Sequence, residues 1–579
     1  MIKLNTNLLK KILITVLISV DVISRSIYFL LKNINENFKK LKIDFFLFIV
    51  ILFSLLIMAV TTPLSFRLDD FNWVYFAIQH PNITNVISAS NFENHYRPVV
   101  GVIWWLGFKL WGINPLGYQL VLDATFLGSM IFLYKLGELF HGKIAGVFSF
   151  FSFIVCFGYL LSILFWLSDL IKTSCLFFMS IGLFFLLKYI KENQQNKKNL
   201  FIGIIFSLLA MFTRETAIII IPLVVGFYYA SQNENRLKNL LNYKSLAILG
   251  TILGVTFVSI FMFDPLKTQI LNMINSSFSI SFIGERLFYY FKNIFSGLSG
   301  PILIFMASSI IVIKLFKRLT FKRILFLLCF VFLITFLGYL NSFVGIIFLI
   351  VLLLSGFYFA NNSQKVFLLW FWGGIIPLLF FDFITTTYIT EATFGLSIYI
   401  GITVAIILKQ LKKCYILDRE EILKHYKHSK IISILIVFLI ISGVLCGCFI
   451  MFPKVNGVYG EINDYKDYQS DFKDSIQFIN KNIPQNASIY YFPSNAYDNF
   501  FANRYILVND NLKKILYIYG RPDIKVKSIN DFHMDLNHEN EYILAQNNYE
   551  NSIVKEKNIP VQILNTNENN EKITIYSIV

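Results

Sequence analysis

The reading of this chain turns on DFFLFIVILFSLLIMAVTTPLSFRLDDFNW, residues 44–73. Phe45–Val60 holds no charged residue and is long enough to approach the thickness of a bilayer. A few residues further on, Asp69 and Asp70 stand side by side. Carboxylates at the edge of hydrocarbon are costly unless they are hydrated, partnered or at work. The polar stretch Ser65–Pro98 that contains them ends on Tyr96-Arg97-Pro98. We read it as the active-site loop of a membrane enzyme and the remaining chain as its scaffold.

Composition supports the membrane half of that reading. Of 579 residues, 56% are hydrophobic and 15% charged, and the mean hydropathy is +0.62. Soluble domains carry about a quarter charged residues. The net charge of +16 does not point to nucleic acid, because the Lys and Arg cluster in short loops between apolar runs, as the positive-inside bias requires. The six cysteines lie in or beside apolar segments, none in Ser65–Pro98 or the polar tail, and form no CxxC metal pattern.

Outward from the opening stretch, apolar runs predict about thirteen spans, roughly at 44–62, 115–135, 144–164, 170–189, 199–213, 215–230, 245–262, 298–314, 324–340, 343–360, 366–382, 394–409 and 431–451. The fifth and sixth are short and nearly continuous, which fits a re-entrant or broken pair. Residues 1–43 are lysine-rich, and the apolar run Ile12–Leu31 is interrupted by Asp21 and Arg25. It has no small-residue cleavage site and reads as a cytoplasmic or interfacial helix rather than a signal peptide. With the N-terminus inside, the inner loops collect Lys135, Lys143, Lys188, Lys191, Lys314, Lys317, Lys409 and Lys412, while the outer loops carry far fewer bases. The expected organisation is a transmembrane domain over 44–451, with a first exoplasmic loop at 63–114, and an exoplasmic α/β domain over 452–579. The chain is expected in the plasma membrane. In the tail, Tyr465–Asn480 reads as helix; Ser488–Phe492, Ile515–Tyr519, Glu541–Leu544, Val561–Leu564 and Ile573–Ile578 read as strands.

On this topology the chemically suggestive residues share the outer side: Asp69, Asp70, Glu93, His95, Tyr96 and Arg97 in the first loop, Trp166 and Asp169 after the third span, Arg214-Glu215 between the fifth and sixth, and Asp382, Tyr388 and Glu391 later. Carboxylates and arginines at one depth suit a charged headgroup whose tail stays in lipid. Each also has a plainer structural reading. Asp69-Asp70 fits a helix cap, Arg97 an interface anchor, Arg214-Glu215 a local ion pair and Asp169 the cap of the fourth span. His95 fits a surface histidine, Tyr388 the aromatic belt and Glu391 a solvated loop position. The common side and depth favour a site.

The ordered set of a span, Asp69-Asp70, Tyr96-Arg97-Pro98 and then Trp111-Gly112-Ile113-Asn114-Pro115 leading into a span resembles the GT-C superfamily of membrane glycosyltransferases. It is most similar to the protein O-mannosyltransferase-like branch. Thr213-Arg214-Glu215-Thr216-Ala217 with Pro222, and Trp166-Leu167-Ser168-Asp169, resemble further segments of that branch. The likeness covers about residues 44–230. Leu122 and Thr125 stand where members often have Asn and His, Arg214 replaces the usual Lys, and no WWDYG-type motif is present.

The resemblance implies a GT-C-like polytopic helical fold and transfer of a hexosyl or pentosyl group from a polyprenyl-phosphate-linked donor. The acceptor would be an exoplasmic protein, lipid or glycan. Inversion at the anomeric carbon and a first-loop aspartate as base are implied with it, Asp69 or Asp70. Such a carboxylate is ionised at neutral pH and can take a hydroxyl proton. Arg97 and Arg214 are the candidates for the donor phosphate, whose leaving charge needs cations. No cofactor is assigned; for a divalent cation, magnesium or manganese, the candidate ligands are Asp69, Asp70 and Glu215. A lipid-linked glycan flippase or other transporter, and a membrane glycan polymerase, are the alternatives. A transporter would place its ionisable groups nearer the midplane and show related halves.

Overall fold

The computed structural model describes residues 44–61, 66, 68–89, 96–156, 164, 166–192, 196–231, 280–295, 299–316, 330, 342–376, 379, 389–417, 475–491, 510–528, 540–545, 561–566 and 574–578. The expected N-terminal segment 1–43, the spans 245–262 and 431–451, nearly all of 324–340, and Glu93, His95, Asp382 and Tyr388 lie outside the described residues. The chain divides into two compact units, each built from separate stretches. One comprises 1–60, 124–161 and 172–454; the other comprises 61–123, 162–171 and 455–579.

The first unit is helical. Its elements are α1 (Phe45–Thr61), most of α5 (Pro115–His141), α6 (Lys143–Cys156), α7 (Leu170–Lys191), α8 (Lys197–Thr213), α9 (Ile220–Ser231), α10 (Ile280–Phe295), α11 (Ser299–Phe316), α12 (Ser342–Phe359), α13 (Asn362–Ile375) and α14 (Thr390–Leu417). Among the described residues of the whole chain, three stretches, Pro115–His141, Leu167–Lys191 and Thr390–Gln410, are long and apolar enough to cross a membrane, and six helices are apolar but shorter. This is the build of an integral membrane protein. The fifth and sixth expected spans are one interrupted run. Helix α8 stops at Thr213, Arg214 is extended at φ −158°, ψ 137°, and a 3₁₀ turn over Glu215–Ile219 leads into α9.

Polar groups inside this apolar bundle find partners, as a water-poor interior demands. Asp44 opens α1, its Oδ1 accepting from the Phe46 and Leu47 amides at 3.1 and 3.5 Å. Its Oδ2 meets Lys143 Nζ at 2.9 Å and accepts from the Tyr134 hydroxyl at 3.2 Å. The starts of α1 and α6 and the end of α5 are thereby gathered at one end. Thr125 Oγ1 donates to Thr173 Oγ1 at 3.0 Å, joining α5 to α7. Gln364 closes a capping box with Asn361 at the start of α13, and its Nε2 donates to Thr403 Oγ1 of α14 at 2.8 Å. Gly401 is required by close approach: a Cβ there would overlap Ser149 Oγ and the Ala145 carbonyl on α6.

The second unit begins with α2 (Leu68–Gln79), α3 (Ile83–Ser88) and α4 (Pro98–Trp111). The expected loop is thus mostly helix. Asp70, Trp73, Val74 and Ala77 are buried at spacings of three and four, the helical period. Pro98 occupies the first position of α4, where its missing N–H costs nothing. Trp73 stacks on Trp104 with centroids 6.2 Å apart, and Phe66 and Tyr118 extend the cluster. Gly112, at φ +58°, closes α4, and its carbonyl accepts from the Tyr118 hydroxyl at 2.9 Å.

Among its described residues, the tail of the second unit holds a helix over 475–482, α15 (Asp510–Ile518), and five strands: β1 (Ser488–Tyr491), β2 (Lys525–Ser528), β3 (Glu541–Ala545), β4 (Val561–Thr566) and β5 (Thr574–Ile578). The sheet order is β2-β1-β3-β5-β4. Strand β1 runs parallel to both neighbours, while β5 is antiparallel to β3 and β4. Four expected strands are found. The fifth, Ile515–Tyr519, lies in helix α15, because Leu512, Ile515 and Leu516 form one buried helical face. Arg521 fastens this helix to the 475–482 helix. It donates to the Ile479 and Pro484 carbonyls at 2.7 and 2.9 Å and makes a two-point pair with Asp523 at 3.0 and 3.1 Å.

Candidate active site

In the second unit, Asp69 and Asp70 form the first turn of α2. The helix dipole favours negative charge at that end. Adjacent helical residues project about 100° apart, and the two carboxylates have different surroundings. Asp70 is fully buried, whereas Asp69 is half-buried. Helix α2 packs against α4 and against the turn Leu167–Asp169. In that turn Asp169 is buried, and its amide donates to the Trp166 carbonyl at 3.0 Å. Asp169 directly precedes Leu170, the first residue of α7.

Arg97 is the residue before α4, at φ −130°, ψ 65°, and is half-buried, as is Tyr96. Burial raises the Tyr96 phenol above the ordinary tyrosine range. The second unit therefore brings together the two aspartate-bearing elements and the helix that starts after Tyr96-Arg97.

On its other flank, α2 is held by the tail. Lys514 Nζ of α15 donates to Asn72 Oδ1 at 2.7 Å, and Tyr75 meets Tyr517 edge-on at 5.3 Å. The sequence reading missed this connection. The available signal was the amphipathic period of α15.

In the first unit, Arg214 and Glu391 form a buried ion pair, 5% and 3% exposed. Thr216 Oγ1 also donates to Glu391 Oε1, at 3.4 Å. Both ends of the pair come from helix boundaries: Arg214 from the break after α8, Glu391 from the first turn of α14. The described partner of Arg214 is Glu391 rather than its sequence neighbour, and the side chain of Glu215 lies outside the described residues. The partner lies 177 residues away in sequence. Glu215 itself starts the 3₁₀ turn. Thr216, absent from the expected set, belongs to this cluster.

Among the described residues, no group of three or more His, Cys, Asp or Glu is placed to hold a metal ion.

No family model matches the chain, and no curated protein matches it. Among solved structures, it is similar to that of ArnT from Cupriavidus metallidurans bound to undecaprenyl phosphate, at 10% identity and a TM-score of 0.48. The match covers 92% of this chain and 97% of that one. It is similar also to the apo structure of the same protein, at 11% identity, a TM-score of 0.47 and the same coverage.

Proposed function

We propose that this chain is a membrane glycosyltransferase that moves a sugar from a polyprenyl-phosphate donor to a hydroxyl acceptor, with Asp69 as the general base. The observation that carries the reading is the pairing of a half-buried Asp69 with a fully buried Asp70 in the first turn of α2. It occurs in a chain whose ordered Asp-Asp, Tyr-Arg-Pro and Trp-Leu-Ser-Asp segments resemble the GT-C superfamily.

The roles follow from burial. A base must reach the acceptor oxygen, which favours Asp69. Asp70, fully buried in the same turn, positions that turn rather than meeting an acceptor. As Asp69 takes the hydroxyl proton, the oxygen attacks the anomeric carbon from the face opposite the lipid phosphate. The bond from carbon to phosphate oxygen breaks, and the configuration inverts. The departing phosphate gains negative charge, which a guanidinium stabilises through two parallel hydrogen bonds. Arg97, in the same unit as Asp69, takes this role. Arg214 is neutralised by Glu391, which makes it a weaker choice than the sequence suggested. A divalent cation, if used, would draw on Asp69 and Asp70. The acceptor is proposed to be a protein, lipid or glycan hydroxyl on the exoplasmic side.

The test is transfer from a panel of synthetic polyprenyl-phosphate sugars by purified protein in detergent, read as release of polyprenyl phosphate. Wild-type protein releases it and Asp69→Asn does not. Full release by Asp69→Asn would overturn the base assignment. Transport of an intact lipid-linked glycan without release would favour the flippase reading.

A further inference from the structure

The first unit has a second charged feature, remote from the Arg214–Glu391 pair. Glu391 begins α14, and Lys409 lies about 27 Å further along it at 1.5 Å per residue, close to the thickness of a hydrocarbon core. At that far end a cavity of about 730 Å³ opens between the end of α5, the end of α11 and the α12–α13 connection. Its charged lining among the described residues is cationic, Lys314 and Lys365, with His141 beside them. The charges of Lys191 and Lys409 also reach His141. Among the described residues, no carboxylate lines the cavity. Among the described residues, no ion pair involves Lys314, Lys365 or Lys409. The first turn of α13, Asn362 and Ser363, completes the wall and turns the positive end of that helix toward it.

A second observation says what reaches this cavity. Helix α12 exposes Ile347, Val351, Leu354 and Tyr358, spaced at intervals of three and four along one face. This is a continuous apolar stripe, and Tyr358, 77% exposed at its end, is itself part of the cavity lining. An exposed apolar stripe that runs into a cavity lined by Lys314 and Lys365 matches an acyl chain joined to a phosphate.

We propose that this cavity binds the phosphate of an anionic phospholipid, with the acyl chains lying along α12. Lys314 and Lys365 make the charge contacts, and Asn361–Ser363 supply neutral donors around the phosphate oxygens. The proposal is independent of the transfer reaction.

The experiment is native mass spectrometry of the full chain released from nanodiscs containing equal phosphatidylglycerol and phosphatidylcholine. Phosphatidylglycerol is expected to be retained about tenfold over phosphatidylcholine. Retention should fall at least fivefold in the double variant Lys314→Gln/Lys365→Gln. It should return in Lys314→Arg/Lys365→Arg and stay unchanged in Lys197→Gln/Lys198→Gln, two exposed lysines elsewhere. A melting temperature matching wild type certifies that the glutamine variant is folded; where it falls, the arginine pair and the retention ratio of the wild type carry the test. Equal retention of the two lipids, or loss that follows any lysine removal, overturns the proposal. Binding of inorganic phosphate, seen as ³¹P line broadening that depends on Lys314 and Lys365 while no lipid is retained, would assign the site to a free anion and overturn the lipid source.

Discussion

Two buried carboxylates in this molecule sit in opposite circumstances. Glu391 in the first unit is closed on Arg214 and supported by Thr216. Asp70 in the second unit is equally buried but shares its helix turn with a second carboxylate, Asp69, that is half-open. A matched buried pair holds two helix ends in place and carries little net charge to spend on a substrate. Two acids on one turn place carboxylates at a helix N-terminus, where Asp69 remains half-exposed. The contrast separates a fastening from a reactive site, and substitutions can break it from either side.

The largest effect is expected at the reactive side. Asp69→Asn should lower transfer about 10²- to 10⁴-fold, the usual worth of a positioned base, with an unchanged melting temperature. Asp70→Asn should lower both activity and melting temperature, because it alters a buried group. Rates and melting curves measured together distinguish the two, and an unaffected rate in Asp69→Asn would remove the contrast altogether.

The fastening side should respond in stability. Arg214→Ala leaves Glu391 buried without its cation and should cost about 3–5 kcal/mol. Replacing both, Arg214→Met with Glu391→Leu, should restore most of that stability, since a matched apolar pair is often as stable as a buried ion pair. Thermal unfolding of the two variants in one detergent checks this. If the double variant is stable yet inactive, the pair belongs to the site after all.

How much of this could be read from sequence depends on the range of the interactions. Apolar runs announced α1, α5, α7 and α14, because burial in lipid leaves a composition signal within a single segment. The end of the Arg214 break was legible from two short adjoining runs. Its partner was not, because Glu391 lies 177 residues on and no local pattern encodes that pairing. The helices inside 63–114 were read as loop because their apolar residues are mixed with polar ones; the spacing Asp70, Trp73, Val74 and Ala77 carried the missing signal. Strand β2 was missed since Lys525–Ser528 offers one apolar residue, Val526, and takes its place as the edge of the sheet through pairing with β1. Ile515–Tyr519 is rich in β-prone residues and so reads as a strand, but the packed face of helix α15 overrides that propensity. Asp69 and Asp70 were visible at once, whereas the difference in their burial required the fold.

The tail sharpens the comparison at a smaller scale. Arg521 is buried like Arg214, but its partner Asp523 is partly solvated and its other contacts are backbone carbonyls. Arg521→Ala should cost about 2–3 kcal/mol, read as faster hydrogen exchange over 475–491 and 510–528. Its hydrogen bond holds the Asp523 carboxyl down to about 2. A lowered carboxylate contributes stability above its ordinary value near 4 and loses it as pH falls through about 2. Protection of these segments in wild type should therefore decline between about pH 4 and pH 2, and Arg521→Ala should flatten that decline.

The smallest expected effect tests whether the tail matters to the aspartates. Lys514 reaches across to Asn72, two residues after Asp70, through a hydrogen bond of 2.7 Å that is only part-buried. Lys514→Met keeps the aliphatic length and removes the donor, which should cost about 1 kcal/mol. Such a loss is too small to unfold the second unit, so its consequence is local. The Tyr75–Tyr517 contact remains to hold α15 on α2, while the first turn of α2 loses one restraint. Hydrogen exchange of the amides in 68–79 should quicken, and those of 98–111 should not. If Asp69 depends on that restraint for its aim, kcat should fall by a few-fold with KM unchanged, whereas a purely structural tether would quicken exchange and leave kcat alone. A Tyr517→Ala variant, removing the other half of the contact, should add to the exchange effect, because a hydrogen bond and a ring contact restrain the same helix through different residues.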